Sequence, residues 1–332
     1  MVNLRNAVDA RATTALALGV GFSLLAVGVG SQAVAASTTI TVSNASQLTA
    51  ALASVTAGQT IALADGTYVG TFLAKAQGQS TAPITITGSR QAVLSTGSTS
   101  SGSALTLSGD NWRLTGFSVS GALRGIVLVD ADTTLIESVE VASTGRQGIS
   151  VTAGSRDVTI RDSFIRNTGV TDAAQGDGIA IGTPNSQWIA VMGSATKPDQ
   201  SDRFIIEGNN IRDTAGEGID VREGTSDGLI SGNVFSHAGY SQQNSADSWV
   251  DLKGDSTRVE LNVGTTAAFD AFQVHSVLEG WGGDNVFADN TVDGVPGYEV
   301  RIESTERGNL IACGSTSASL GMTNGACQGS KD

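Results

Sequence analysis

Charged side chains recur at alternating positions in a series of short apolar segments in the second half of the chain. Ile219-Asp220-Val221-Arg222 and Val250-Asp251-Leu252-Lys253 are two such segments. Because successive side chains of a β-strand point to opposite faces, the apolar residues are predicted to face inward and the polar residues outward. The outward pairs are then Asp220 with Arg222, Asp251 with Lys253, Gln273 with His275, and Glu299 with Arg301.

These outward residues form two parallel files if the segments stack as neighbouring strands, which lie about 4.8 Å apart. One file is predicted to contain Asp220, Asp251, Gln273 and Glu299, and the other Arg222, Lys253, His275 and Arg301. Opposite charges on neighbouring strands contribute only about 0.2–1 kcal/mol each, and stacked like charges destabilise a sheet. A file of cationic and titratable groups therefore favours a binding or catalytic groove, with a structural salt-bridge ladder as the alternative.

The elements that must position these residues repeat along the chain. Gly-Ile pairs recur at 125–126, 148–149, 178–179 and 218–219, and asparagines recur at Asn209, Asn233, Asn262 and Asn290. Periods of roughly 20–50 residues are typical of stacked architectures, and neither the Leu pattern of leucine-rich repeats nor the aromatic content of propeller blades is present. The repeat predicts an all-β fold, a right-handed parallel β-helix, in which the asparagines form a buried structural ladder.

The two ends of the chain differ from the repeat. Residues 1–35 contain Arg5 and Arg11, an apolar stretch and Ala33-Val34-Ala35, which predict a secretory signal peptide and a secreted, extracellular protein without a membrane anchor after cleavage. Residues 36–310 are predicted to form the β-helix, capped by a short helix around Leu48 and Leu52. Residues 311–332 are predicted to form a Gly/Ser-rich tail in which Cys313 and Cys327 pair.

The composition limits the partners. The chain has a formal net charge of −13, which argues against a nucleic-acid partner because no basic surface would neutralise phosphates. An acidic polysaccharide is not excluded, since a local file of cations or a metal ion can bind anionic sugars. We expect a monomer.

The N-terminal region resembles a known family. Residues 41–48 read Thr-Val-Ser-Asn-Ala-Ser-Gln-Leu, residues 58–68 read Gly-Gln-Thr-Ile-Ala-Leu-Ala-Asp-Gly-Thr-Tyr, and residues 82–86 read Ala-Pro-Ile-Thr-Ile. This stretch is similar to the N-terminal coil of the chondroitinase B and alginate lyase family within the pectate-lyase-like superfamily. The resemblance is fairly specific for this stretch and only architectural for the rest. It implies a parallel β-helix that cleaves a uronic-acid polymer by β-elimination, with a Ca²⁺ ion, a Lys base and an Arg acid.

The resemblance also suggests positions for the catalytic groups. The family has an acidic metal ligand a few residues before its Lys on one coil, and an Arg on the next coil. In this chain Glu217 stands at the acidic position, Arg222 at that of the Lys and Lys253 at that of the Arg. Both cationic positions are filled, with the two residue types exchanged.

Elimination from a uronate requires these types of residue. Removal of the C5 proton becomes easier when a Ca²⁺ ion or an Arg neutralises the adjacent carboxylate. Lys253 is the predicted base if its pKa is lowered by Arg222 and His275. Asp220 and Asp251 are expected to oppose that lowering unless a bound Ca²⁺ ion neutralises them, and His275 is the second candidate. The predicted Ca²⁺ ligands are Glu217, Asp220, Asp251 and Asp247. The predicted substrate-binding residues are Arg301, Gln273, Glu299 and Trp188. Trp188 lies within an insertion at residues 183–202, which is expected to form a wall of the groove.

Two other functions stay open beside the favoured polysaccharide lyase. Asp220 and Asp251, on adjacent coils, could be the carboxylate pair of a retaining glycoside hydrolase. The two carboxyl groups of such an enzyme lie about 5–5.5 Å apart. A non-catalytic glycan-binding or cell-surface β-helix would instead use exposed tryptophans as sugar-stacking platforms. The candidates for that role are Trp112, Trp188, Trp249 and Trp281.

Overall fold

Three parallel β-sheets run along the molecule. The computed structural model of the protein describes residues 38–305 and 308–329, so the predicted signal peptide at residues 1–35 lies outside the described residues. The chain passes from sheet to sheet, and each internal strand pairs in parallel with the strands one coil before and one coil after it. This β-solenoid of about 11 turns confirms the predicted right-handed parallel β-helix.

The strands are short and are distributed evenly over the three sheets. Sheet I contains β1 Thr39–Val42, β2 Thr60–Leu63, β5 Ile84–Gly88, β8 Trp112–Thr115, β11 Leu135–Glu137, β14 Thr159–Arg161, β17 Ile205–Glu207, β20 Leu229–Ser231, β23 Arg258–Glu260, β26 Val286–Ala288 and β29 Leu310–Ile311. Sheet II contains β3 Gly66–Val69, β6 Ala92–Ser95, β9 Ser118–Ala122, β12 Glu140–Thr144, β15 Phe164–Thr168, β18 Asn210–Thr214, β21 Val234–Ala238, β24 Val263–Ala267 and β27 Thr291–Asp293. Sheet III contains β4 Phe72–Ala74, β7 Ser103–Leu107, β10 Arg124–Val129, β13 Ile149–Thr152, β16 Ile179–Ile181, β19 Ile219–Val221, β22 Val250–Leu252, β25 Phe272–His275, β28 Tyr298–Glu303 and β30 Gly321–Thr323.

The Gly-Ile repeat sets the register of sheet III. Ile126, Ile149, Ile179 and Ile219 pair in succession across four strands, and all four are wholly buried. β-Branched side chains pack well on a pleated surface, so this stack contributes to the core at every coil. The glycine before each isoleucine permits close approach of neighbouring coils, because a Cβ at Gly125 would lie 2.3 Å from the carbonyl oxygen of residue 148.

The predicted asparagine ladder is present, with Asn209, Asn233 and Asn262 wholly buried and Asn290 partly buried. The Oδ1 atom of Asn233 accepts hydrogen bonds from the backbone N–H and from Nδ2 of Asn209, each at 3.0 Å. In the same way, the Oδ1 atom of Asn262 accepts from the backbone N–H and Nδ2 of Asn233, and the Oδ1 atom of Asn290 accepts from those of Asn262. These bonds satisfy backbone groups at a bend of each coil that would otherwise be buried without partners.

Both ends of the solenoid are covered. Helix α1 spans Ala45–Ser54 and is capped by Asn44, whose side chain accepts a hydrogen bond from the N–H of Gln47. The helix buries Leu48 and Leu52, as predicted. At the other end a disulfide joins Cys313 to Cys327. Strand β30 lies in the segment predicted to be a tail and extends sheet III by one strand. Within the described part of the chain, no helix is long and apolar enough to cross a membrane.

Candidate active site

The outward files of sheet III form the floor of a groove. Asp220 pairs with Ala180 on one side and Asp251 on the other, and Asp251 pairs with Gln273. The neighbouring Ile219 is wholly buried, as the predicted alternation requires. The second file follows two residues later on the same coils, with Arg222, Lys253 and His275.

The last coil of the predicted files is displaced by two residues. Gln273 pairs with Arg301 and His275 pairs with Glu303. The predicted pairing of Glu299 with Gln273, and of Arg301 with His275, is therefore wrong. Arg301 belongs to the first file, and the second file ends in a carboxylate.

The core determines this register. Phe272 stacks on Val300, and both side chains are wholly buried. A shift of two residues leaves every side chain on the same face, so alternation cannot distinguish the two registers. Glu299 is buried, and burial raises its pKa against the opposing effect of a hydrogen bond with Thr316. Gln273 is buried to the same degree, so the predicted role of Glu299 in substrate binding stays a prediction.

A chain of ion pairs links the two files. Lys253 Nζ lies 2.8 Å from Asp220 Oδ1 and 2.5 Å from Asp251 Oδ2. A guanidinium nitrogen of Arg222 lies 2.5 Å from Asp220 Oδ2, and His275 Nδ1 lies 2.7 Å from Asp251 Oδ1. Because both aspartates are buried, solvent and salt screen these contacts only weakly.

A second polar network occupies the later coils. Gln273 Nε2 donates to Asp247 at 2.7 Å and to Asp270 at 2.8 Å. Arg301 contacts Glu303 and lies 3.9 Å from Asp270. Asp247 therefore accepts a hydrogen bond from the side-chain amide of Gln273 and does not belong to the group of carboxylates that could hold a metal ion.

Three buried carboxyl groups converge on the earlier coils. One oxygen atom from each of Asp177, Glu217 and Asp220 lies within 4.8 Å of the other two. We call this set the acidic triad. It retains Glu217 and Asp220 from the predicted Ca²⁺ ligands, but Asp251 and Asp247 are not part of it. The predicted places of Asp251 and Asp247 among the Ca²⁺ ligands stay a prediction.

Sequence reasoning missed Asp177, although a signal was available. Asp177 precedes Gly178-Ile179 as Glu217 precedes Gly218-Ile219. The two acidic residues therefore occupy the same position on adjacent coils. Asp177 also lies 3.3 Å from Arg222, which joins the triad to the chain of ion pairs.

Burial and mutual repulsion perturb the acidic triad. Burial raises the pKa of Glu217 well above its usual value, and the charges of Asp220 and Asp177 add to the rise. Burial also raises the pKa of Asp177, again with a contribution from Asp220. Carboxyl groups driven toward their neutral form in this way favour a bound cation or a shared proton.

Neighbouring carboxylates favour the charged forms of Lys253 and His275. Burial lowers the pKa of Lys253, but the carboxylates of Asp220 and Asp251 outweigh burial and raise it. Arg222 opposes the rise, as predicted, but less strongly than the two carboxylates. The lowering expected with bound Ca²⁺ stays a prediction. Burial lowers the pKa of His275, and the hydrogen bond and charge of Asp251 raise it above the usual 6.5.

The insertion at residues 183–202 forms a wall of the groove, as predicted. Pro184 and Ser186 line the groove together with Arg222. Trp188 is buried, and its Nε1 donates to the carbonyl oxygen of Thr183 at 2.8 Å. Its ring lies beside Gly224, and the predicted contact of Trp188 with substrate stays a prediction.

Comparisons with known proteins agree with this architecture. A model of the Pel9A-like right-handed β-helix region matches residues 29–193. The crystal structure of an alginate lyase from Paenibacillus sp. str. FPU-7 is similar, with 33% sequence identity and a TM-score of 0.78. The match covers 86% of this chain and 99% of that protein.

More distant structures share the fold. Pectate lyase Pel9A has 16% identity and a TM-score of 0.60, over 82% of this chain and 72% of that protein. The alginate lyase AlyGC of the PL6 family has 18% identity and a TM-score of 0.54, over 80% of this chain and 40% of that protein. No curated protein sequence matches the chain.

Proposed function

Because the chain belongs to the pectate-lyase-like superfamily of right-handed parallel β-helix proteins, we propose that it is a polysaccharide lyase acting on a uronate-containing polymer. The observation that carries the proposal is the buried cluster of carboxylates with Lys253, Arg222 and His275 on the groove floor. The similar Paenibacillus protein is an alginate lyase, so alginate is the first candidate substrate. With the predicted signal peptide, the proposed place of action is extracellular.

The charge balance of the groove floor favours a bound cation. Four carboxyl groups, Asp177, Glu217, Asp220 and Asp251, face three cationic or titratable groups, Arg222, Lys253 and His275. This excess of negative charge would repel a polyuronate unless it were neutralised. The acidic triad fits a hard divalent cation, since its three carboxyl groups converge and two of them have raised pKa values. Calcium takes about six to eight oxygen ligands, so water and substrate would complete the set.

Ca²⁺ is therefore the proposed cofactor, held by the acidic triad. When bound, it would supply positive charge that stabilises the enolate formed when a uronate loses its C5 proton. Half of the ligands predicted from the sequence are kept in this proposal, and Asp177 replaces the other half.

Lys253 is the proposed base. Its Nζ lies between Asp220 and Asp251, which now hold it as an ammonium ion. The amine must lose that proton before it can accept one from C5. Any charge that neutralises Asp220 weakens the field that raises the pKa of Lys253, so cation binding and base function are expected to be coupled.

Arg222 and His275 are proposed to complete the reaction. Burial lowers the pKa of Arg222, but Asp220 and Asp177 raise it overall, so the side chain stays charged and can bind the uronate carboxylate. Asp251 raises the pKa of His275 and so favours its protonated form, which can donate a proton to the departing glycosidic oxygen. Gln273 and Arg301, on the later coils, remain proposed substrate-binding residues.

The other functions are less well supported. A retaining hydrolase needs a carboxylic acid that donates a proton. Burial raises the pKa of Asp251, but Lys253 and His275 outweigh burial and lower it, so this carboxyl group holds no proton to donate. For a binding protein, Trp112 and Trp249 are wholly buried and cannot serve as sugar platforms.

Product analysis tests the proposed function. The purified chain is incubated with alginate, pectate, glucuronan and chondroitin, with Ca²⁺ or with a chelator, and the absorbance of the unsaturated product is followed. We expect product from at least one polymer, less product with the chelator, and none from Lys253→Ala. Lys75→Ala, at an exposed lysine outside the cluster, should match the wild type. Absence of product from all four polymers would overturn the proposal.

A further inference from the structure

The groove continues past Arg222 toward the N-terminal coils. There it opens into a cavity of about 420 Å³. Among the described residues that line it, the charged side chains are Arg124 and Arg222, and none is a carboxylate. Most of the other lining side chains carry hydroxyl or amide groups, including Ser150, Gln175, Thr183 and Asn244. The cavity therefore differs in charge from the acidic floor beside it.

Arg124 has no counter-charge in this cavity. It begins β10, is half-buried, and in the described part of the chain no carboxylate lies within 4.0 Å of its guanidinium. The neighbouring Arg146, by contrast, is paired with Asp172 at 3.0 Å. Burial and the charge of Arg146 both lower the pKa of Arg124. An anionic ligand would relieve the desolvation of this group.

Gln147 supplies a second unsatisfied group beside Arg124. Gln147 is buried, and its Oε1 has no hydrogen-bond donor among the described residues. Its Nε2 donates to Gln175 Oε1 at 3.3 Å, which leaves the carbonyl oxygen as the free end. Buried acceptors are nearly always paired, so a donor such as a sugar hydroxyl is expected at this position.

The register places these groups in line with the acidic triad. The pairing of Ile126 with Ile149 puts Arg124 and Gln147 at equivalent positions on adjacent coils, and the same position on the next coil is Asp177. Arg124 is therefore two coils, or about 10 Å, from the start of the triad. A polymer that follows the groove would pass both.

We propose that Arg124 and Gln147 form a separate subsite that binds the carboxylate and a hydroxyl group of a second uronate residue in the same chain. This inference rests on the proposed action on a polyuronate. It predicts that the enzyme selects long acidic chains, because a short oligomer bound at the triad does not extend to Arg124. Neutral polysaccharides lack the carboxylate that this guanidinium requires.

The first test measures binding without turnover. Lys253→Ala protein with Ca²⁺ is titrated calorimetrically with an alginate hexasaccharide and, in parallel, a galacturonate hexasaccharide. Adding Arg124→Gln should weaken binding of the preferred hexasaccharide about ten- to hundredfold, the effect of losing a hydrogen bond between charged groups. Adding Arg113→Gln, an exposed arginine on sheet I, is the matched control and should change affinity less than twofold. Arg124→Lys should restore part of the loss.

A kinetic arm separates this inference from the proposed function. In the otherwise wild-type enzyme, Arg124→Gln should lower kcat/KM for the hexasaccharide much more than for a disaccharide, which cannot extend from the triad to Arg124. If the wild type cleaves the polymer and Arg124→Gln leaves both the hexasaccharide affinity and kcat/KM unchanged, the subsite is overturned and the lyase assignment still holds. Arg124-dependent hexasaccharide binding without cleavage of any polymer would support the subsite and overturn the lyase assignment. Absence of hexasaccharide binding and cleavage would overturn both.

Discussion

Replacement of Lys253 by alanine is expected to abolish turnover and also to destabilise the fold. The Lys253 side chain is only 14% exposed and is the shared partner of Asp220 and Asp251. Removing one partner of a buried ion pair lowers the free energy of unfolding by about 3–5 kcal/mol. Because Asp220 keeps Arg222 and Asp251 keeps His275, we expect a loss near the lower limit, about 3 kcal/mol.

Denaturant unfolding followed by circular dichroism measures this loss, provided that the slope with denaturant is unchanged. Lys253→Met provides a second variant, because it keeps most of the aliphatic volume and removes only the charge. It should lose nearly as much stability as Lys253→Ala. The exposed Lys75→Ala should stay within about 0.5 kcal/mol of the wild type. Wild-type stability in both Lys253 variants, or near-normal turnover in either, would refute the role given to this ammonium group.

Three further predictions follow from the described contacts. Asp177→Asn should weaken Ca²⁺ binding, measured by calorimetry, at least about tenfold. Asp247→Asn should leave Ca²⁺ binding unchanged, because Asp247 accepts a hydrogen bond from Gln273 and is not part of the acidic triad. Equal effects of the two substitutions would contradict the acidic triad as the ligand set. The raised pKa of His275 stabilises the fold below pH 6.5, and this contribution should be lost as the pH rises through the raised value. Lyase activity should fall over the same range, and a profile unchanged in His275→Gln would exclude the histidine as the proton donor. Asn233→Ala should lower the free energy of unfolding by roughly 2–4 kcal/mol, since several buried hydrogen bonds of the ladder are lost, and a neutral effect on thermal or denaturant unfolding would contradict that role.

The periodic features of this protein were predictable from its sequence. The Gly-Ile pairs and the asparagine series recur once per coil, so they define the solenoid and its ladder without knowledge of long-range contacts. The faces of the strands were also predictable, because alternation assigns Asp220, Asp251 and Lys253 to the groove wherever the coils lie.

Registers and pKa values depend on packing that the sequence does not display. The pairing of Gln273 with Arg301 differs from the predicted pairing by two residues, a shift that preserves every face. The pKa of Lys253 rises because two carboxylates contact Nζ directly, and the sequence could not show how far these carboxylates outweigh the neighbouring cations. Trp188 lies in the predicted wall, but only its packing shows that the ring is buried.

Cleavage in water enriched in ¹⁸O tests the central claim most directly. The wild-type protein is incubated with alginate and Ca²⁺ in this water, and the fragments are analysed by mass spectrometry. Because β-elimination breaks the glycosidic bond without adding water, we predict unsaturated fragments that carry no ¹⁸O from the cleavage step, after correction for exchange at the reducing end. Saturated fragments with ¹⁸O incorporated during cleavage would show hydrolysis and would contradict the assignment of Lys253 and His275 to elimination.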